Sequence, residues 1–229
     1  MSLQQANRYA SLWFSLAGYL NCKTIKGKDL MSTRIVEANI HYDLTKSVVI
    51  DLQRTLCEQA IEKDRYVTTR SRQQTEIAFL EGSDELREEA KVTLMRQRLK
   101  LSATVRAIQV TEQTMTIVAG TLLQIARQGL VTRYGQKIEY CPIEGRITSG
   151  ANTREIIWFG RNQAMHFDDS KPGSWTSLFK TLDQHHPGKF TPEPVSRSMA
   201  IIELLGWMSF GQYEADMENL GVFTPLENV

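Results

Sequence analysis

The stretch that decides the fold is Leu86–Gly129, which reads LREEAKVTLMRQRLKLSATVRAIQVTEQTMTIVAGTLLQIARQG. Apolar side chains recur along it at spacings of three and four residues, and this period is typical of an amphipathic α-helix. Just before it, Gly82-Ser83-Asp84 combines a helix stop with residues that can cap a new helix. The pattern predicts a helix from about Asp84 toward Gly129, with a break near Ser102 or Gly120 left open.

The distribution of proline extends this prediction to the whole N-terminal part. All 6 prolines lie at or after Pro142, so the first 141 residues are free of a residue that disrupts helix interiors. Helical stripes are also visible at residues 3–20 and 30–61. The β-branched run Val48–Ile50 fits a strand when taken alone, but its polar surroundings favour a helix.

The remaining chain is more interrupted. Residues 135–150 carry several glycines and Pro142, which predicts a loop with or without a small hairpin. Asn152 or Thr153 is a candidate N-cap for the next helix. Shorter apolar helices are predicted around residues 175–182 and 199–207, and the mixed tail from Gly211 to Val229 is expected to dock loosely.

These patterns predict one all-α domain over residues 1–229, an antiparallel helical bundle of five to seven helices with long helices. Its expected parts are a long-helix part (1–134), a loop or small hairpin (135–151), a motif helix with C-terminal helices (152–210) and a tail (211–229).

Composition excludes several classes of protein. The chain of 229 residues has 27 basic and 26 acidic side chains, so a net charge of +1 argues against a protein that coats nucleic acid non-specifically. No apolar run is long enough for a membrane span, and no secretory signal is readable. The 3 cysteines are far apart and form neither a disulfide framework nor a metal knuckle. We therefore expect a cytoplasmic protein with no metal and no cofactor.

The stretch with chemical content is Arg161-Asn162-Gln163-Ala164-Met165-His166, late in the helix that Asn152 or Thr153 begins. An Arg-x4-His motif on a helix, with Asn directly after the Arg, resembles the HEPN superfamily of helical bundles. Many members of that superfamily are metal-independent endoribonucleases whose Arg-x4-6-His motif is the active site. The resemblance implies RNA as substrate, a homodimer with a composite cleft, and a toxin or anti-phage role restrained by an inhibitory or antitoxin protein.

The residue types suit cleavage of RNA, whose 2′-hydroxyl is a built-in nucleophile. A histidine such as His166 can take or give a proton near neutral pH. An arginine such as Arg161 stays charged and matches two phosphate oxygens. We assign Arg161, His166 and Asn162 to catalysis and predict that Arg154 and Trp158 contact RNA.

Helix geometry constrains this assignment. Five residues along a helix rotate a side chain by about 140° and advance it by about 7.5 Å, so Arg161 and His166 do not share a face. Either the helix bends near Phe167 or two copies meet across a two-fold axis. Asn162 and His166, four apart, do share a face.

HEPN toxins paired with a nucleotidyltransferase antitoxin often have a Tyr two residues after the His, whereas this chain has Asp168 there. This difference argues against neutralisation by nucleotide transfer to that site and leaves the Arg–His pair intact. A separate observation keeps another interpretation open: Arg161 fits an ordinary helix-surface arginine, and His166 a helix C-terminal residue favoured by the macrodipole. The alternative is a non-catalytic helical module, a degenerate HEPN or unrelated bundle, that binds a protein partner.

Overall fold

The computed structural model describes residues 27–82, 88–167, 173–191 and 195–224. The predicted stripe at residues 3–20, the predicted caps Ser83 and Asp84, and Asp168 lie outside these ranges. The chain divides into two units, residues 1–34 and residues 35–229. Of the first unit the structure describes residues 27–34, which form the first turns of a helix that continues into the second.

The predicted all-α fold is confirmed. The described residues form six α-helices: α1 (Gly27–Glu81), α2 (Glu88–Tyr134), α3 (Thr153–His166), α4 (Thr176–His185), α5 (Ser198–Leu205) and α6 (Phe210–Asn219). Val48–Ile50 lies inside α1, and α2 continues unbroken through Ser102 and Gly120. Between α2 and α3 lie a short 3₁₀ helix (Ile138–Tyr140) and two antiparallel strands, β1 (Ile147–Thr148) and β2 (Ala151–Asn152).

Within the second unit α1 and α2 form an antiparallel pair. Lys63 Nζ lies 2.8 Å from a Glu112 carboxylate oxygen, and Arg98 Nη2 lies 2.6 Å from one of Glu81, so the two helices run in opposite directions. Buried positions recur at heptad spacing, which is the pattern of helices that pack along a coiled-coil seam. They are Tyr42, Val49, Leu56 and Ile77 on α1, and Thr104, Ile108, Thr111, Met115, Val118, Leu122 and Ile125 on α2.

The main hydrophobic core joins part of this pair to the shorter helices. It contains buried apolar side chains between residues 42 and 56 of α1 and between residues 115 and 131 of α2, together with apolar side chains of α3, α4, α5 and α6. Helices α3 and α5 approach closely at Gly160, where an added Cβ would lie 2.6 Å from Cδ1 of Ile201. A larger residue at this position would require the end of the Ile201 side chain to move.

A tight hairpin leads into α3. Ser149 and Gly150 both have positive φ, 51° and 78°, as the two central residues of a type I′ turn require. Arg146, directly before β1, donates from Nε and Nη2 to the two carboxylate oxygens of Asp216 on α6, at 2.7 and 3.0 Å. Trp207 Nε1 donates to the same carboxylate at 2.8 Å, so the buried charge of Asp216 is fully compensated.

The prediction of a loosely docked tail from Gly211 is wrong. Residues 210–219 form α6, which buries Tyr213, Asp216 and Met217. Beyond α6, Phe223 stacks on Tyr42 of α1, with 3.7 Å between the ring centroids. The acidic and glycine residues of this segment obscured a helix whose apolar side chains complete the core.

Candidate functional site

Helix α3 carries the Arg-x4-His motif, and local sequence determines where it begins. The Asn152 side chain accepts a hydrogen bond from the backbone N–H of Glu155 at 2.9 Å, which makes Asn152 the N-cap. Of the two candidates, Asn152 or Thr153, the structure thus selects the first. Glu155 places negative charge in the first turn, where the helix dipole favours it.

Helix α3 packs antiparallel on α2, and three facing pairs fix the register. A Cβ added to Gly120 would lie 3.8 Å from Cβ of Ala164, so small side chains let the helices approach there. One turn along, Arg161 contacts Gln124, and a further turn along, Trp158 contacts Arg127. The motif arginine therefore points toward α2.

Arg161 is held by uncharged partners. Its Nε donates to Oε1 of Gln124, and its Nη1 lies 3.5 Å from Oδ1 of Asn162. The side chain is partly buried, and this desolvation lowers the pKa of the guanidinium. Within the described part of the chain no carboxylate forms an ion pair with Arg161. Asn162 thus lies next to the Arg161 guanidinium, and it is also four residues before His166 on the same helix.

A second arginine, which sequence reasoning missed, lies beside Arg161. The guanidinium carbon of Arg127 lies 4.6 Å from the centroid of the Trp158 ring. Burial and the positive charge of Arg161 lower the pKa of Arg127. Its Nε is buried and has no hydrogen-bond partner. The sequence offered a single indication of this residue: Gln124 and Arg127 are three residues apart on one predicted helix and are therefore neighbours on its surface.

His166 occupies a different environment. It lies in the last turn of α3, is exposed to solvent, and is placed where the helix dipole favours a cation. Its neighbours Met165 and Phe167 are also exposed. The structure thus directs Arg161 toward α2 and leaves His166 at the surface, as the angular separation along the helix predicts.

Arg154 and Trp158, the two residues predicted to contact RNA, make contacts within the protein. Arg154 donates from Nη1 to the carbonyl oxygen of Cys141 at 2.6 Å, and its Nη2 lies 3.5 Å from Glu144. Trp158 is buried, and Arg127 covers one face of its ring. As placed, the indole has no open face for a base, because packing between α2 and α3 uses it.

Other candidate chemistry is limited in the described ranges. There, no group of three or more His, Cys, Asp and Glu side chains is placed to hold a metal ion. His185 lies 3.1 Å from the carbonyl oxygen of Thr181, and His186 lies 2.7 Å from the Ser149 hydroxyl. None of the helices described is both long and apolar enough to cross a membrane.

Comparisons with protein-family models, with curated proteins and with solved structures found no match for this chain. The resemblance to the HEPN superfamily stays a prediction that rests on Arg161, Asn162 and His166.

Proposed function

We propose that this protein is a metal-independent endoribonuclease in which Arg161 binds the scissile phosphate and His166 transfers a proton. The observation that supports this most is the environment of Arg161. Its guanidinium is held by the neutral side chain of Gln124 and lies beside a second arginine. No carboxylate among the described residues forms an ion pair that would cancel its charge. Such an arginine is suited to an anionic ligand.

The reaction requires three events. His166 either removes the proton from the 2′-hydroxyl or supplies one to the departing 5′-oxygen, since either role suits an exposed imidazole, and solvent water accepts or supplies the other proton. The 2′-oxygen attacks phosphorus while Arg161 stabilises the added negative charge. The P–O5′ bond breaks, which leaves a 2′,3′-cyclic phosphate and a 5′-hydroxyl.

The placement of the two side chains favours a homodimer. Arg161 and His166 point about 140° apart around α3, so one helix does not present both to the same phosphate. Met165 and Phe167, which flank His166, leave 53% and 37% of their surfaces exposed. These two side chains are therefore accessible to a second copy of the chain. A two-fold axis near this end of α3 would combine Arg161 of one copy with His166 of the other.

We further propose that the ribonuclease works in the cytoplasm as a toxin or anti-phage effector. Uncontrolled cleavage of RNA would harm the cell that makes it. An inhibitory or antitoxin protein that covers the exposed end of α3 would restrain it.

Cleavage of a labelled single-stranded RNA in EDTA tests the proposal. We expect His166→Ala and Arg161→Ala each to lower the cleavage rate by about 100-fold or more, because proton transfer and phosphate stabilisation each contribute on that scale. The matched control is His185→Ala, since His185 is also exposed in the last turn of a helix. It should cleave at the wild-type rate.

The products and substrate analogues complete the test. We expect the products to carry 2′,3′-cyclic-phosphate ends and a 2′-O-methyl RNA to resist cleavage, because the 2′-hydroxyl is the nucleophile. Equal cleavage by wild type and His166→Ala would exclude the proposed site.

The alternative function, a non-catalytic module that binds a protein, is favoured by a different observation. Apolar side chains of α2 are largely exposed, and four of them are Val92, Leu99, Val110 and Ile117. A protein partner could cover them. Absence of cleavage by the wild type, together with a stable complex with a cellular protein that mutation of these four residues disrupts, would support this alternative.

A further inference from the structure

Two pairs of residues, each one helical turn apart, face each other across the contact between α2 and α3. Gln124 and Arg127 belong to α2, and Trp158 and Arg161 belong to α3. Gln124 contacts Arg161 and Arg127 contacts Trp158, so the neutral residue of each helix holds the arginine of the other. We call these four residues the arginine square.

The arginine square concentrates positive charge without a compensating acid. Burial and the nearby charge of Arg161 lower the pKa of Arg127, burial lowers the pKa of Arg161, and both side chains are partly buried. Several other partly buried arginines in the described ranges have oxygen partners, although Arg70 also has a buried Nε without one. Arg146 pairs with Asp216, and Arg133 donates to the carbonyl oxygen of Gly221. Two adjacent, partly buried guanidiniums without a carboxylate lower the stability of the folded protein unless an anion binds them.

The unused hydrogen-bond donors point to the same conclusion. The buried Nε of Arg127 has no partner, and Arg127 makes no hydrogen bond with any described residue. Trp158 restrains the plane of this guanidinium, while Gln124 restrains that of Arg161. Both forks are therefore oriented before a ligand arrives, which lowers the entropic cost of binding.

We propose that Arg127 and Arg161 together bind the oxyanion of one phosphate group. Each guanidinium matches two oxygens of a tetrahedral phosphate, and two guanidiniums match its charge. That the phosphate belongs to RNA rests on the proposed function. On that basis Arg127 is a second phosphate-binding residue, from a helix that the motif does not include.

Thermal unfolding of the full chain with inorganic phosphate as the probe tests this site. Phosphate should raise the Tm of the wild type above that in KCl of equal ionic strength, by about 4 °C at roughly ten times its Kd. Arg127→Met should abolish the rise. Without phosphate, the Tm of Arg127→Met should equal or exceed that of wild type, because the substitution removes repulsion with Arg161.

The control is Arg133→Met, since Arg133 lies on the same helix and also stacks on an aromatic ring, that of Tyr134. Its hydrogen bond to Gly221 makes it a structural arginine. This variant should have a lower Tm than wild type but the full response to phosphate. Arg127→Lys keeps the positive charge but loses the bidentate guanidinium, so it should retain part of the phosphate response. It also provides a test if Arg127→Met does not fold.

Three results would overturn the proposal: a wild-type Tm equal in phosphate and KCl, a full phosphate response in Arg127→Met, or a full response in Arg127→Lys if Arg127→Met does not fold.

A 2′-O-methyl RNA, which is not cleaved, separates this inference from the proposed function. Arg127→Met should weaken its binding by about tenfold. Phosphate and RNA binding without RNA cleavage would support the arginine square and exclude the ribonuclease. Cleavage of RNA by the wild type, together with an unchanged phosphate response in Arg127→Met, would support the ribonuclease and exclude the arginine square as a phosphate site.

Discussion

At the scale of the residue, Asp216 shows how much one buried group can organise. Its carboxylate is 1% exposed and accepts hydrogen bonds from Arg146 and Trp207. Removal of the carboxylate would leave the Arg146 charge and the Trp207 N–H without their partner. Loss of one partner from a buried pair costs far more than loss of a surface pair.

We therefore expect Asp216→Ala to lower the free energy of unfolding by about 3 kcal/mol, at the lower end of the usual range because Arg146 remains partly exposed. The matched control is Asp51→Ala, which removes an exposed pair with Arg54 at 2.8 Å. It should change stability by less than about 0.5 kcal/mol. Urea unfolding followed by circular dichroism measures both, and equal losses would contradict this view of Asp216.

Sequence reasoning identified the residues with local partners and missed those with distant ones. The Asn152 cap was among its candidates because the cap and Glu155 are three residues apart. Arg146 and Asp216 are 70 residues apart, and no spacing rule connects them. Arg127 was missed for the same reason, since its position beside Arg161 depends on how α3 packs on α2.

At the scale of the element, the α1–α2 pair contains polar side chains at buried positions. Gln73 on α1 is 8% exposed, and its Oε1 is buried without a hydrogen-bond partner. Thr104 and Thr111 on α2 are also buried, but their hydroxyls donate to carbonyl oxygens of their own helix. Buried polar groups in a coiled coil lower stability and can specify the register.

We expect Gln73→Leu to raise the free energy of unfolding by about 1 kcal/mol, because it removes a buried acceptor that lacks a partner. Gln74→Leu, at the exposed next position, should have almost no effect. Thermal unfolding of the two variants compares them directly. A decrease for Gln73→Leu would show that the amide is stabilising in its present position.

The helices that local period predicted are those whose apolar positions repeat without interruption. The long stretch of α2 met this condition, and its glycine at position 120 breaks nothing because it packs against Ala164. Helix α6 was missed because Gly211, Glu214, Asp216 and Glu218 interrupt its apolar pattern. Only the tertiary contacts of Asp216 explain why a charged residue faces the core.

At the scale of the whole molecule, the stacking of Phe223 on Tyr42 connects the C-terminal end of the described chain to α1. Tyr42 also donates to Glu214, and Lys46 Nζ lies 2.9 Å from the same carboxylate. The hydrogen bond from Tyr42 and the nearby Lys46 lower the pKa of Glu214. The C-terminal segment is therefore packed on α1 and contributes to the hydrophobic core.

We expect Phe223→Ala to lower the free energy of unfolding by about 3 kcal/mol, since it removes a buried ring. Phe79→Ala is the matched control, because Phe79 is 79% exposed, and it should change stability by less than about 0.5 kcal/mol. Chemical denaturation measures both values. If the two variants proved equally stable, the C-terminal segment would not be integral to the core.

The contacts of Asp216 also bear on how this sequence can evolve. The hairpin supplies Arg146, the turn after α5 supplies Trp207 and α6 supplies Asp216. A substitution at one of these three positions leaves the others with unmet charge or hydrogen-bonding capacity. Lineages that descend from this protein should therefore keep all three residues or replace them together, so that the positions co-vary even though long stretches of chain separate them.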